Sequence, residues 1–254
     1  MITRKSAREL DIMARAGSIV AGTLALMREI VRPGMTTEDL DDAAEAFIRS
    51  HPGATPSFKG LYGFPKTLCV SIDDEIVHGI PSRKRVLREG SIVSVDCGVH
   101  LEGFHADSAT TIPVGTVGAE AERLMAVTQE ALAAGIAAAQ AGHHVGDVGH
   151  AVQTVAEAAG FGVVRELVGH GIGTRFHEEP QVPNHGQPHR GAQLKPGMTI
   201  AIEPMITAGS YETRTLPDKW TVVTVDGSLS AHFEHTVAIT LEGPRVLTKP
   251  AGGS

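Results

Sequence analysis

The sequence predicts an α+β fold built from two related halves, about 1–115 and 116–254, and three observations carry that prediction. A pair of amphipathic helical patterns opens each half, at about 7–50 and again at about 119–159. Short apolar, strand-like runs follow each pair. Stretches of the first half also recur, in order, in the second. Gly34 and Asp39 match Gly142 and Asp147 at an offset of 108. Arg88-Glu-Gly-Ser-Ile-Val-Ser-Val-Asp96 matches Lys195-Pro-Gly-Met-Thr-Ile-Ala-Ile-Glu203 at an offset of 107. Val77-His78-Gly-Ile80 echoes Gly169-His170-Gly-Ile172 at 92. Three matches in one order indicate a duplication about a pseudo-twofold axis, forming a single domain.

Ser6-x-x-Glu9 forms a capping box that opens the first helix. Leu10, Met13, Gly17, Val20, Leu24, Met27 and Val31 then recur every three or four residues as one buried stripe. Pro33-Gly34 ends it, and Thr37 is read as the cap of a second helix running to about Ser50, with Leu40, Ala44 and Phe47 inward. Residues 51–67, rich in Gly, Pro and aromatics, read as a surface loop, and strands follow near 68–72 and 75–79. In the second half a helix covers about 119–140. A shorter one follows from about Gly146 to Ala159, stopped at Gly160.

The chemistry concentrates on the strands. Ile92–Val95 reads as a buried strand, with Gly98 and Gly103 marking a turn into a second one. Centring that hairpin between Leu101 and Glu102 sets Asp96 opposite Asp107, with Cβ atoms about 5 Å apart. Two buried carboxylates that close repel unless they are protonated or bridged by a cation; two solvated acids beyond the strand ends are the alternative. The repeat adds a third acid, because Glu203 closes the strand equivalent to that of Asp96. A fourth, Glu234, lies in Ala231-His-Phe-Glu-His-Thr-Val-Ala-Ile239, read as one apolar strand. The Asp226-Gly227 turn predicts a hairpin that pairs Trp220 with Phe233 and sets an aromatic wall beside Glu234. His170 lies between glycines in Val168-Gly-His-Gly-Ile-Gly173, and His177 follows Phe176. Asp96, Asp107, His170, Glu203 and Glu234, with His78 and His177 nearby, make an oxygen-rich ligand set with one imidazole. That set suits Mn, Fe, Co or Zn, and two ions better than one. Two ions roughly 3.5–4 Å apart can bridge a hydroxide and clamp a tetrahedral oxyanion, as metal-assisted amide hydrolysis requires.

The ordered motifs His78-Gly-Ile-Pro, Val95-Asp96, Phe104-His-Ala-Asp107, Gly169-His170-Gly-Ile-Gly, Phe176-His177-Glu, Ile202-Glu203-Pro and Phe233-Glu234-His-Thr resemble those of type I methionine aminopeptidases. The resemblance runs from about Ile12 to Ala238. It implies the pita-bread fold, in which a central antiparallel sheet carries helices on its outer face. It also implies removal of the initiator methionine from nascent chains whose second residue is small. By position, Asp96 would chelate one metal, Asp107 and Glu234 would bridge both, and His170 and Glu203 would complete the other. Glu203 is also a candidate base for the bridging water. His177 would contact the scissile carbonyl, and His78 would bond the substrate amide or assist its departing nitrogen. Phe58, Phe64, Cys69, Phe176 and Trp220 would line the methionine pocket. Two departures stand out: Tyr62 replaces an entrance-loop histidine of some members, and Phe58 is bulkier than the residue expected there.

Composition sets the outer bounds. The chain has 254 residues, 42% of them hydrophobic, a mean hydropathy of +0.01 and a net charge of −7. The charge argues against general or sequence-specific nucleic-acid binding. No stretch is read as approaching transmembrane length, and no signal-peptide core opens the chain. Two cysteines, Cys69 and Cys97, suit reduced thiols in the cytoplasm. The resemblance implies a monomer with transient ribosome contact. The rival readings are an X-Pro peptidase, which usually carries a large N-terminal domain, and a metal-free binding protein or amidine-acting relative, which should lack ligands.

Overall fold

The computed structural model describes residues 2–249. Among the described residues there are four α-helices, α1 (Ala7–Ile30), α2 (Thr37–Arg49), α3 (Ala119–Ala138) and α4 (Val145–Ala158), and a short 3-10 turn at Leu61–Gly63. The strands are β1 (Thr55–Pro56), β2 (Leu68–Ile72), β3 (Glu75–Val77), β4 (Ile92–Leu101), β5 (Phe104–Pro113), β6 (Gly162–Val163), β7 (Gly169–Gly171) and β8 (Glu178–Val182). They continue as β9 (Thr199–Ile202), β10 (Met205–Thr207), β11 (Thr213–Thr215), β12 (Val222–Thr224), β13 (Ser230–His232), β14 (His235–Thr240) and β15 (Gly243–Val246).

Every strand pairing is antiparallel. β4 carries β5 along one edge and β1 and β2 along the other, and the second large sheet runs β15-β14-β9-β7-β8. α1 packs on β4 and β5, and α3 packs on α4. One core of Val20, Leu24, Leu40, Ile48, Val93 and Val95 lies under α1 and α2. Another, with Leu124, Leu132, Val148, Ile200 and Val237, lies under α3 and α4. A smaller cluster of Met13, Phe58, Phe64, Cys69, Ile172 and Phe176 draws on both sheets and lies beside the site.

The local rules are visible at the helix ends. Ser6 Oγ accepts from Glu9 N–H while Glu9 accepts from Ser6 N–H, completing the expected capping box. At α2 the cap is one residue earlier than expected. Thr36, not Thr37, exchanges these bonds with Asp39, and Thr37 already lies in the helix, its hydroxyl bonded to Ser82. The cap needs extended backbone and an acid three residues on, and only Thr36 meets both conditions.

Four further expectations are corrected. The β4–β5 hairpin turns at Glu102-Gly103, both at positive φ, so Leu101 faces Phe104, Asp96 faces Ala109 and Asp107 faces Gly98. A two-residue turn needs that left-handed pair, which Glu-Gly supplies and a centre at Leu101 does not. Because the register moves by two residues, both acids keep the same face, as diagonal rather than opposed neighbours. Asp226-Gly227 does not join a hairpin: β12 pairs with β11 and β3, while β13 pairs with β10, so Trp220 does not face Phe233. The run 231–239 is broken at Phe233-Glu234 into β13 and β14. Finally, α1 is long and apolar enough to cross a membrane. It is a core helix, with Met13, Ala16, Val20 and Met27 fully buried.

Leu124, fully buried in α3, and Leu241, 82% exposed, separate core from surface. Leu124→Ala should cost about 2–5 kcal/mol and Leu241→Ala less than about 0.5 kcal/mol by urea denaturation. Equal losses would contradict this placement of the core.

Candidate metal centre and active site

The site is built where strands of the two large sheets meet. Asp96 and Asp107 come from β4 and β5, His170 from β7, Glu203 from the residue after β9, and Glu234 from the break between β13 and β14. β5 is fastened to the break and to β14 by reciprocal bonds. Asp107 N–H donates to Thr236 Oγ1, whose hydroxyl donates back to Asp107 O. Glu234 N–H donates to Ala109 O, and Ser108 Oγ donates to Glu234 O. Those bonds hold Asp107 and Glu234 side by side, although 127 residues separate them in the chain.

Ligand atoms of Asp107, His170 and Glu234 lie within 4.8 Å of one another. His170 Nε2 is 4.0 Å from Asp107 Oδ2 and 3.7 Å from Glu203 Oε1. His170 Nδ1 lies 2.8 Å from Gly171 O. A carbonyl can only accept, so Nδ1 carries the hydrogen and Nε2 points a lone pair at the carboxylates, the tautomer a metal ligand needs.

Burial drives the electrostatics. It pushes the Asp96 carboxyl up to about 7, against a hydrogen bond with Asp107 that lowers it. Burial, then neighbouring carboxylates, push Asp107, Glu203 and Glu234 well above the usual range. Burial takes His170 down to about 3 and His78 to about 4, so both imidazoles are neutral at pH 7. Asp96 Oδ1, Asp107 Oδ1 and Glu234 Oε1 are buried with no hydrogen-bond partner. Buried acceptors in native structures are otherwise almost always satisfied. Four carboxylates, three with orphaned oxygens, and a correctly disposed imidazole fit divalent metal ions.

A cavity of about 320 Å³ opens over this cluster and contains every residue the sequence singled out: Phe58, Phe64, Cys69, His78, Asp96, Asp107, His170, Phe176, His177, Glu203, Trp220 and Glu234. Its apolar end is an aromatic wall. Phe58 meets Phe176 edge-on at 5.3 Å, and Phe64 meets Trp220 at 5.1 Å. Trp220 is placed by Asp218, whose carboxylate accepts from the N–H groups of Trp220 and Thr221. Cys69 faces Asp96 across β2 and β4, and burial, with Asp96 beside it, keeps its thiol protonated.

His177 stands at the mouth, its ring 4.4 Å from that of His170 and stacked on Tyr62 at 5.7 Å. Its loop is anchored from below by Glu178. Burial alone would raise that carboxyl, but Lys5 Nζ at 2.8 Å, the Thr3 hydroxyl and Arg175 N–H outweigh it and hold it at about 2. His232 was missed in the sequence. It is buried, 4.0 Å from Glu203 and 3.9 Å from Glu234, with Nε2 unpartnered. Its place two residues before Glu234 was the available signal, since alternate strand residues share a face.

Residues 11–241 match metallopeptidase family M24, and the chain belongs to that family. Among the relatives it matches are methionine aminopeptidases. That of Clostridium perfringens is 53% identical over 98% of this chain and 99% of its own, and that of Bacillus subtilis 51% identical over 98% and 100%. The solved methionine aminopeptidase of Thermotoga maritima superposes with a TM-score of 0.96 at 42% identity, covering 98% of this chain and all of its own. An Xaa-Pro dipeptidase from Bacillus anthracis shares the fold alone, with a TM-score of 0.76 at 21% identity; this chain spans 63% of its length.

The carboxylates have folded pKa values above their unfolded ones. Their contribution to stability is therefore fully present below about pH 4 and is lost as pH rises through about 7, where Asp96 ionises. Metal-stripped protein should show a lower urea midpoint at pH 8 than at pH 5.5, and Mn should remove the difference. Equal midpoints in the stripped protein would mean that the carboxylates are not desolvated together.

Proposed function

We propose that this enzyme removes the initiator methionine from nascent proteins whose second residue is small, as a single catalytic domain of two related halves, about 1–115 and 116–254. The observation that carries the reading is the joining of two features in one cavity: a buried carboxylate cluster and, beside it, an aromatic wall of Phe58, Phe64, Phe176 and Trp220. The wall suits a thioether, which packs well against aromatic rings. The 42–53% identity to methionine aminopeptidases across nearly the whole chain supports the same activity.

Asp96, Asp107, His170, Glu203 and Glu234 would hold two divalent ions, from Co, Mn, Fe or Zn, which supply an activated water at neutral pH and charge stabilisation for the oxyanion. The chain's own groups do the rest. The aromatic wall binds the methionine side chain and sets the first peptide bond beside the carboxylates, while Glu203 takes the proton given up by the attacking water. His177, neutral through burial, donates to the scissile carbonyl as its oxygen gains charge. His78 contacts the amide nitrogen and helps it leave. Tyr62 Oη lies 3.4 Å from His177 Nδ1; a hydroxyl donating there leaves His177 Nε2–H free to donate inward. The reading places the enzyme in the cytoplasm as a monomer meeting chains near the ribosome.

Metal-stripped protein reloaded with Mn or Co should release Met from a Met-Ala peptide and leave matched Met-Lys, Leu-Ala and Ala-Pro peptides intact. Cleavage of Ala-Pro alone would instead favour an X-Pro peptidase. Asp107→Asn and His170→Ala should each abolish turnover while the protein stays folded by circular dichroism; activity within a few-fold of wild type would refute the ligand assignment. Tyr62→Phe keeps the stacked ring and removes the hydroxyl. It should lower kcat/KM by roughly 2–10-fold, the worth of one hydrogen bond, and an unchanged value would remove Tyr62 from His177's support.

A further inference from the structure

We propose that His144, Asp147 and His189 form a second transition-metal site, separate from the catalytic cavity and suited to zinc-like ions. The three ligand atoms lie within 4.8 Å of one another. His144 Nδ1 is 3.8 Å from Asp147 Oδ2, and His189 Nδ1 is 3.5 Å from Asp147 Oδ1. Donors about 2.0–2.1 Å from a tetrahedral zinc stand about 3.3–3.4 Å from each other, so small side-chain rotations close the site. Two imidazoles and one carboxylate are borderline donors that take zinc, cobalt or nickel in preference to magnesium or calcium.

The observation that asks for a ligand is His144 Nδ1, an atom shielded from water and without a hydrogen-bond partner on a half-buried side chain that is 28% exposed. A buried ring nitrogen facing an ionised carboxylate without bonding to it is an arrangement that an ion between them would satisfy. Asp147 is held ionised: its slight burial works against this, but the N–H groups of His144 and His189 both donate to it. Each carboxylate oxygen keeps a lone pair beyond those bonds. Its charge also offsets the positive end of α4, where His144 is the cap residue.

The frame is rigid on both sides. Residues 183–194 fold back on the start of α4, with Val145 and Gly146 N–H donating to Ala192 and Arg190 carbonyls and Leu194 N–H donating to His143 O. A Cβ on Gly146 would stand 2.4 Å from Gln187 O, so the loop lies flat only because that residue is glycine. The His189 side chain is 85% exposed, which gives an ion its path in and leaves the fourth position to water. The same loop reaches the catalytic cluster, since buried Asn184 donates to the carbonyl of Glu203 at 3.0 Å. An ion joining His144 and His189 would fasten that loop to α4.

Metal counting tests this independently of peptidase activity. Protein carrying Asp107→Asn and Glu234→Gln, which cripple the catalytic cluster, should still bind one equivalent of zinc in calorimetric titration. Adding His144→Ala or His189→Ala should abolish that equivalent. In the otherwise wild-type chain, exposed His189→Ala should lower the zinc content by one ion per molecule. It should also lower cobalt absorption in the visible, with release of Met from Met-Ala unchanged. The same zinc content with and without His189 would overturn the proposal and leave the cluster as a carboxylate flanked by two imidazoles.

Discussion

Mutual repulsion among Asp96, Asp107, Glu203 and Glu234 is the constraint around which this molecule is arranged. Each group is cut off from water, and a lone charge in that position would neutralise itself by taking up a proton. The fold instead converges four of them on one point, with an imidazole whose free lone pair faces the same way. Such a cluster is a poor device for stability and a good one for binding cations. The unpaired oxygens of Asp96, Asp107 and Glu234 record the cost.

Supporting structure exists to keep those groups from drifting apart. The exchange between Thr236 and the backbone of Asp107, and the bond from Glu234 N–H to Ala109 O, clamp the break after β13 against β5. On the other side Lys5, from the segment before α1, neutralises Glu178 in a buried pair and so anchors the loop of His177. Polar contacts of that kind are worth more here than on the surface, because each lies where water does not compete.

Much of this was legible in the sequence because the acids lie on strongly apolar strands and the two halves repeat each other. Apolar periodicity, cap and stop residues and the repeat together located α1 to α4, and the acids were found because a carboxylate on an apolar strand conflicts with its surroundings. Register was less legible. The β4–β5 turn depends on which residues adopt left-handed backbone, and Glu102 does so beside Gly103, a choice that alternation of side chains cannot reveal. The near miss was harmless because a two-residue shift preserves the face. The false hairpin at Asp226-Gly227 failed for a different reason: the flanking strands found partners elsewhere, β3 and β10, which no local signal announces. His232 escaped notice because an isolated histidine in an apolar run reads as core until the carboxylates around it are known.

The clamp between Thr236 and Asp107 also fixes when, in the life of a single molecule, the catalyst comes into being. Its two partners are 129 positions apart, so a chain emerging from N- to C-terminus presents Asp96 and Asp107 long before Glu203 and Glu234 exist. During that interval the first two acids lack the Glu203 and Glu234 carboxylates that complete the cluster. Only closure of the final strands supplies them. A half-made copy is therefore inert, and the power to cut peptides arrives together with the completed fold.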